Sequence, residues 1–166
     1  MRKIRVDREI GYMTQVEEKI LAALKAQGIE YEVFEHDPVY TCPQMANFLK
    51  TDEAHIAKSM VVKRSDGTYL LAVLPGNMKI DFHKLGMAAK AAPVILAPKK
   101  EAEEVAQCSV GCVHPLGNIV NLETLFDSAI LSQEYVYFNP GSHTKSVKIS
   151  TQALTKLVNP TVAEFT

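Results

Sequence analysis

The chain has 166 residues, of which 47% are hydrophobic and 22% charged, a balance typical of a soluble globular protein with a single core. Its net charge of −1 argues against a protein that coats DNA or another nucleic-acid backbone, although a local basic patch remains compatible with it. No apolar run is long enough to span a membrane, and the basic N-terminus lacks the apolar core of a secretory signal.

Helical and strand-like patterns are interspersed irregularly along the chain. We interpret residues 1–12 as a polar arm of one domain that covers residues 1–166. Predicted helices begin at or after Thr14, Thr41, Asp81, Pro98 and Ser150. Predicted strands cover residues 31–35, 54–62, 69–74, 94–97, 119–122, 135–138 and 146–149. The mixture predicts an α+β fold with a mixed, curved, barrel-like sheet flanked by helices.

A lysine lies in the middle of one apolar strand. The stretch AHIAKSMVV, residues 54–62, is predicted to be buried, and Lys58 is at its centre. Because an unpaired buried ammonium is costly, two interpretations are open. Either the strand lies at a sheet edge and Lys58 points to solvent, or Lys58 lines a cavity and meets an anionic group there.

Two glycine-containing segments follow later in the chain. GCVHPLG, residues 111–117, has two glycines and a proline in seven positions, which predicts a shaped loop. FNPGSH, residues 138–143, predicts a turn between two strands. On the residues alone, both segments are equally compatible with ordinary turns, and His143 with an exposed turn histidine.

In their order and spacing, four motifs resemble the YbaK/EbsC family: IAKSMVV, LLAVLPGNMKIDFHKL, GCVHPLG and FNPGSH. This family is also the editing domain associated with bacterial prolyl-tRNA synthetases, and it includes free-standing ProX-type proteins. The resemblance covers roughly residues 30–160, and no synthetase catalytic domain accompanies it. It implies the YbaK-type fold.

The resemblance also implies a function, which is hydrolysis of the ester in a mischarged tRNA such as Ala- or Cys-tRNA(Pro). It implies catalytic roles for Lys58 and Gly111. Implied substrate-binding residues are Pro115, Gly141, Ser142 and His143. The implied partner is the acceptor end of a mischarged tRNA, with an aminoacyl-tRNA synthetase as a second candidate, and no metal or organic cofactor is implied. The alternative is an inactive YbaK-like module that binds an amino acid or an acylated tRNA end.

The ester itself determines what such a site has to stabilise. Hydrolysis places negative charge on the carbonyl oxygen, and a backbone N–H can stabilise it by about 2.7–4 kcal/mol. The loop 111–117 contains candidate N–H donors, and Lys58 would hold a phosphate or the developing charge. The resemblance implies that the 2′-hydroxyl of the terminal ribose positions the attacking water. For a cysteinyl ester, the substrate's own thiol is a second candidate nucleophile.

Cysteines raise a competing hypothesis. Their number, three, is odd and shows no disulfide pattern, which predicts a reducing, cytoplasmic environment. Cys108, Cys112 and His114 are close enough in sequence to suggest a metal site, but the paired Cys-x-x-Cys of common zinc sites is missing. Cys112 with His114 as its base would be a nucleophile pair, although no third orienting group is evident.

Overall fold

The computed structural model describes residues 2–4 and 15–166. Within them, the α-helices are α1 Gln15–Ala26, α2 Cys42–Leu49, α3 Phe82–Ala88, α4 Lys99–Ala106 and α5 Thr151–Val158. The strands are β1 Arg2–Ile4, β2 Tyr31–Glu35, β3 Ala57–Arg64, β4 Tyr69–Pro75, β5 Val94–Leu96, β6 Glu123–Asp127, β7 Tyr135–Phe138, β8 Lys145–Ser150 and β9 Thr161–Ala163. Short 3₁₀ helices cover Glu53–His55, Gly117–Ile119 and Ser128–Ser132.

The described strands form two sheets. One is antiparallel, with the order β1-β2-β8-β7. The other, β5-β3-β4-β6-β9, is mixed, because β4–β6 and β6–β9 are parallel pairs whereas β3–β4 and β3–β5 are antiparallel. An isolated bridge between Ile56 and Tyr137 joins the two sheets. The predicted α+β class with a mixed sheet is confirmed, but the strands do not close on themselves, so the barrel-like part of the prediction is wrong.

The main core is built where α1 and α5 pack against the two sheets. The predicted apolar stripe of α1, Val16, Ile20 and Leu24, is buried in it together with apolar residues of both sheets. A second cluster gathers around Leu85 of α3, and a third lies under α2. The sheets therefore have helices packed on them, as the sequence predicts.

One ion pair lies inside this core. Lys145 of β8 donates from Nζ to Glu17 Oε1 of α1 at 2.7 Å, and both side chains are almost fully buried. Burial of two charges is tolerated when they pair with good geometry, so the bond ties α1 to the strand that follows the 139–144 turn.

Local signals placed most element boundaries correctly. The hydroxyl of Thr41 and the carboxylate of Asp81 cap α2 and α3, and the hydroxyl of Ser150 caps α5. The predicted cap at Thr14 lies outside the described residues, as does most of the predicted arm, of which residues 2–4 form β1.

Two strand predictions need correction. The strand predicted at 54–62 begins later, at Ala57, because Asp52 caps a 3₁₀ turn over Glu53–His55. The strand predicted at 119–122 is wrong, since that region is a 3₁₀ turn and loop, and β6 starts at Glu123.

None of the helices in the described residues combines the length and apolarity needed to cross a membrane.

Candidate active site

A cavity of about 230 Å³ contains both residues that were predicted to be catalytic, Lys58 and Gly111. The start of β3, the segment before and within α2, and the loop after α4 form its walls. Its lining residues are Tyr40, Thr41, Cys42, Met45, Ile56, Ala57, Lys58, Ser59, Met60, Val110, Gly111, Val113 and Asn139. A mostly apolar wall with a few polar groups is typical of a small-ligand site.

The part of β3 that contains Lys58 is paired with β4 along one edge. The β3–β5 pairing covers only Val62–Arg64, so the first half of β3 faces the cavity along its other edge. Lys58 is partly buried, and its Nζ donates to Met78 O at 2.5 Å and to Gly76 O at 3.5 Å. These carbonyls orient the ammonium, and the structure favours the cavity interpretation of Lys58 over the solvent-facing one.

Gly111 also lines the cavity, in a conformation that favours glycine. Its φ is +95°, and a Cβ added there would lie 3.3 Å from both His143 Cε1 and Tyr40 O. Asn139 Nδ2 donates to Gly111 O at 3.0 Å, which ties the loop to the end of β7. A side chain at this position would be strained and would press on its neighbours.

The rest of the loop is internally bonded and lies behind the wall. The N–H groups of Cys112, Leu116 and Gly117 donate to Ser109 O, His114 Nδ1 and Pro115 O. Pro115 is buried and does not line the cavity, so a direct contact with substrate stays a prediction. Of residues 111–117, only Gly111 and Val113 line the cavity.

Residues 141–143, which are predicted to bind substrate, lie next to the cavity lining rather than in it. Gly141, with φ +81°, shapes it, and Ser142 Oγ lies 3.1 Å from Thr144 Oγ1. His143 Nδ1 donates to Val39 O at 3.0 Å, and its ring centroid is 4.6 Å from that of Tyr40. Gly141, Ser142 and His143 are not among the lining residues, so their substrate-binding roles also stay predictions.

Sequence reasoning did not single out several residues of the cavity. Ser59 Oγ and Asn139 Oδ1 are buried oxygens without a hydrogen-bond partner in the described chain. Buried oxygens without a partner are uncommon in folded proteins, and these two leave the cavity wall with unused hydrogen-bonding capacity. Asn139 lies in the FNPGSH motif, which was a usable signal, whereas Ser59 is distinguished only by following Lys58.

Cys42 also lines the cavity. Burial raises the pKa of its thiol, although the nearby Lys58 charge acts in the opposite direction. The thiol is therefore neutral at physiological pH, which makes Cys42 a wall residue rather than an activated nucleophile.

The geometry gives little support to a metal site at Cys108, Cys112 and His114 or to a Cys112–His114 nucleophile pair. Cys112 is 2% exposed, does not line the cavity, and donates from Sγ to Ser109 O at 3.1 Å. His114 is 1% exposed, and burial lowers its pKa to about 4. Its Nδ1 accepts from the Leu116 N–H and is therefore occupied. Within residues 2–4 and 15–166, no group of three or more His, Cys, Asp or Glu side chains is arranged to hold a metal ion.

Two wider depressions lie elsewhere. One, of about 670 Å³, is lined by residues of β2, β7 and β8, and another, of about 750 Å³, borders α5. Neither contains a residue that the sequence motifs single out. Size alone therefore does not identify the site, and the smaller cavity is the one in which the predicted groups converge.

Two curated relatives match most of the chain. The prolyl-tRNA editing protein ProX of Acetoanaerobium sticklandii is 25% identical over 144 residues, which cover 84% of this chain and 88% of ProX. The multifunctional Ser/Thr-tRNA deacylase ProXp-y of Escherichia coli K12 is 24% identical over 152 residues, covering 89% of this chain and 91% of that protein.

A solved structure and a family match complete the comparison. A crystal structure described as a candidate trans-editing enzyme for prolyl tRNA synthetase superposes with a TM-score of 0.80 at 21% identity, covering 93% of this chain and 98% of that one. This likeness confirms the fold. Residues 36–157 match the family described as the aminoacyl-tRNA editing domain. The match covers well over half of the chain, includes both walls of the cavity and confirms the resemblance found in the motifs: this chain belongs to the aminoacyl-tRNA editing domain family.

Proposed function

We propose that the protein is an aminoacyl-tRNA deacylase that hydrolyses the ester of a mischarged tRNA in the Lys58–Gly111 cavity. The observation that carries the proposal is that one small cavity contains both an oriented ammonium and an exposed glycine backbone. Family membership supports the same reaction, because ProX and ProXp-y are named for tRNA editing and deacylation.

The geometry narrows the proposed roles. Because Cys112, Leu116 and Gly117 use their N–H groups inside the loop, Gly111 and Val113 are the loop residues at the cavity whose N–H groups are candidate donors to the carbonyl oxygen. We assign the role to Gly111, which is the more exposed of the two. Lys58 supplies positive charge in the same cavity, where it stabilises the developing oxyanion or a neighbouring phosphate. Both groups act on charge, and neither has to form a covalent bond.

The proposed nucleophile is water, oriented by the 2′-hydroxyl of the terminal ribose. Its oxygen bonds to the carbonyl carbon, the bond from that carbon to the ribose oxygen breaks, and the ribose oxygen takes a proton. The products are a free amino acid and an uncharged tRNA end. An aminoacyl ester is already activated, so oriented charge in a partly desolvated cavity is a sufficient source of catalysis.

The size of the cavity favours a small amino acid. Its volume of about 230 Å³ is below the roughly 300–1,000 Å³ typical of sites for drug-sized ligands. Alanine and cysteine on tRNA(Pro) are the proposed first substrates, and serine or threonine are alternatives suggested by the name of ProXp-y. One methylene changes discrimination by only about 1–3 kcal/mol, so the choice needs direct assay.

Partners beyond the tRNA are proposed on electrostatic grounds. The near-neutral chain offers little general attraction for an RNA backbone, which favours delivery of the tRNA by a synthetase in the cytoplasm.

The test is deacylation of Ala-, Cys-, Ser- and Pro-tRNA(Pro) by the wild type, Lys58→Ala and a control, Lys156→Ala. Lys156 is exposed on α5 and outside the cavity. We expect selective hydrolysis of one or two species, a loss of at least tenfold in kcat/KM with Lys58→Ala, and no loss with the control. If folded wild type hydrolyses none of them but binds an acylated end, the protein is the inactive binding module.

A further inference from the structure

Two exposed apolar side chains lie at the cavity and have no role in the reaction proposed above. Tyr40 is 60% exposed and Val110 is 46% exposed, and both belong to the lining. Scattered exposed apolar residues are ordinary, but two that flank one functional cavity indicate a contact surface.

The Tyr40 ring is held in place from behind. Its centroid lies 4.6 Å from that of His143, at an interplanar angle of 41°. His143 is fixed by its bond to Val39 O, and the N–H of Tyr40 donates to Gln44 Oε1 at 2.8 Å. One side of the ring therefore has a support, while most of the residue remains open to solvent.

Val110 comes from the facing chain segment. It precedes Gly111, where a Cβ would lie 3.3 Å from Tyr40 O and 3.9 Å from Tyr40 Cα, so the backbones of the two segments are in close approach. An aromatic and an aliphatic side chain thus border the same side of the cavity, next to the proposed oxyanion donor.

We propose that Tyr40, supported by His143 and bordered by Val110, stacks on the adenine base of the terminal nucleotide. This inference rests on the proposed function, because every tRNA ends in adenosine and its ribose carries the ester. With the ester between Lys58 and Gly111, the base attached to that same ribose extends to the rim. A flat purine suits an exposed, preorganised ring, and stacking contacts of this kind tolerate any sequence further along the RNA.

The stacking contact predicts a specific pattern of kinetic losses. Loss of a base–aromatic stack weakens binding by about 5- to 150-fold. Tyr40→Ala should raise KM by a factor in this range, whereas Tyr40→Phe, which keeps the ring, should not. Leu131→Ala, which removes an exposed apolar side chain outside the cavity, is the matched control.

A substrate that lacks the base separates stacking from a general effect. Wild type and Tyr40→Ala are compared on a mischarged minihelix and on the same minihelix ending in a ribose without its base. We expect the two enzymes to differ on the complete substrate and to be equal on the substrate without the base. An equal loss on both substrates, or no loss on either, would overturn the proposed stacking.

Equilibrium binding keeps the inference testable if hydrolysis itself fails. The probe is a non-hydrolysable 3′-aminoacylamido-adenosine, titrated into wild type, Tyr40→Ala and Tyr40→Phe. Binding that is weakened only by Tyr40→Ala supports the stack even if no ester is hydrolysed, in which case the proposed function alone is wrong. Binding that is unchanged by Tyr40→Ala, or no binding to wild type, overturns the stack.

Discussion

Replacement of Gly111 by alanine tests the part of the site that is backbone rather than side chain. At φ +95°, alanine is strained, and its Cβ would lie 3.3 Å from Tyr40 O and from His143 Cε1. Gly67 is a matched control, because its φ is +86° and nothing lies within 4 Å of the position of its Cβ. The two variants share the backbone strain, but only Gly111→Ala presses on the cavity.

The expected magnitudes follow from this comparison. Backbone strain should lower the free energy of unfolding by about 1–2 kcal/mol in both variants. Gly111→Ala should in addition displace the proposed oxyanion donor, and loss of such a donor lowers kcat by about 10²–10³-fold. Even partial displacement should therefore reduce kcat/KM at least tenfold, whereas Gly67→Ala should keep wild-type kcat/KM.

Urea unfolding and deacylation kinetics measure the two effects separately. Wild-type kcat/KM in Gly111→Ala would show that the loop backbone does not take part in the reaction. An equal loss of activity in Gly67→Ala would show that global stability, rather than the site, controls turnover. Either result would contradict the role proposed for Gly111.

Three further outcomes are expected. Burial lowers the pKa of His114 from 6.5 to about 4. As the pH falls, the unfolded state therefore takes up a proton on this histidine before the folded state does. The free energy of unfolding should fall by about 3 kcal/mol between pH 6.5 and pH 4. Urea unfolding at several pH values checks this, and a His114→Gln variant that kept the full slope would contradict it. Lys145→Met removes one partner of the buried Lys145–Glu17 ion pair and should lower the free energy of unfolding by about 3–5 kcal/mol, with a smaller loss for the double variant Lys145→Met/Glu17→Leu; equal losses would exclude coupling. Prior alkylation of Cys42, which lines the cavity, needs alkaline pH because burial raises the pKa of its thiol. This alkylation should block deacylation, and Cys42→Ser should resist the reagent; full activity of the alkylated wild type would place the reaction elsewhere.

Local physics explains which elements were predictable. Helix caps act within three residues, so Thr41, Asp81 and Ser150 are readable from the chain. The error at 119–122 comes from a turn that the apolar pattern does not show. The N–H groups of Val120 and Leu122 both donate to Gly117 O, and Asn121 has a φ of +57°, so the chain turns before β6 starts.

The residues of the candidate site were predictable only in part, because several of them depend on packing between distant segments of the chain. Ordered motifs pointed to Lys58 and Gly111, and the structure brings these distant positions into one cavity. The FNPGSH motif contains Asn139, but the bond of this residue to Gly111 O spans 28 positions of the chain and is not readable from it. The place of Tyr40 in the lining likewise depends on packing rather than on a local pattern. Gly141, Ser142 and His143 do not line the cavity, and their substrate-binding roles stay predictions.

The way in which Lys58 is anchored affects how the substrate arrives. Within the described chain, the groups that hold its ammonium are the carbonyls of Met78 and Gly76, which are dipoles without net charge. Dipoles orient an ammonium without cancelling it, so the cavity keeps an attractive field for the phosphates at the end of a tRNA. At physiological ionic strength this field extends about 8 Å before salt screens it. We therefore expect the anchored lysine to guide only the last few nucleotides, and recognition of the rest of the tRNA to need other contacts or another protein.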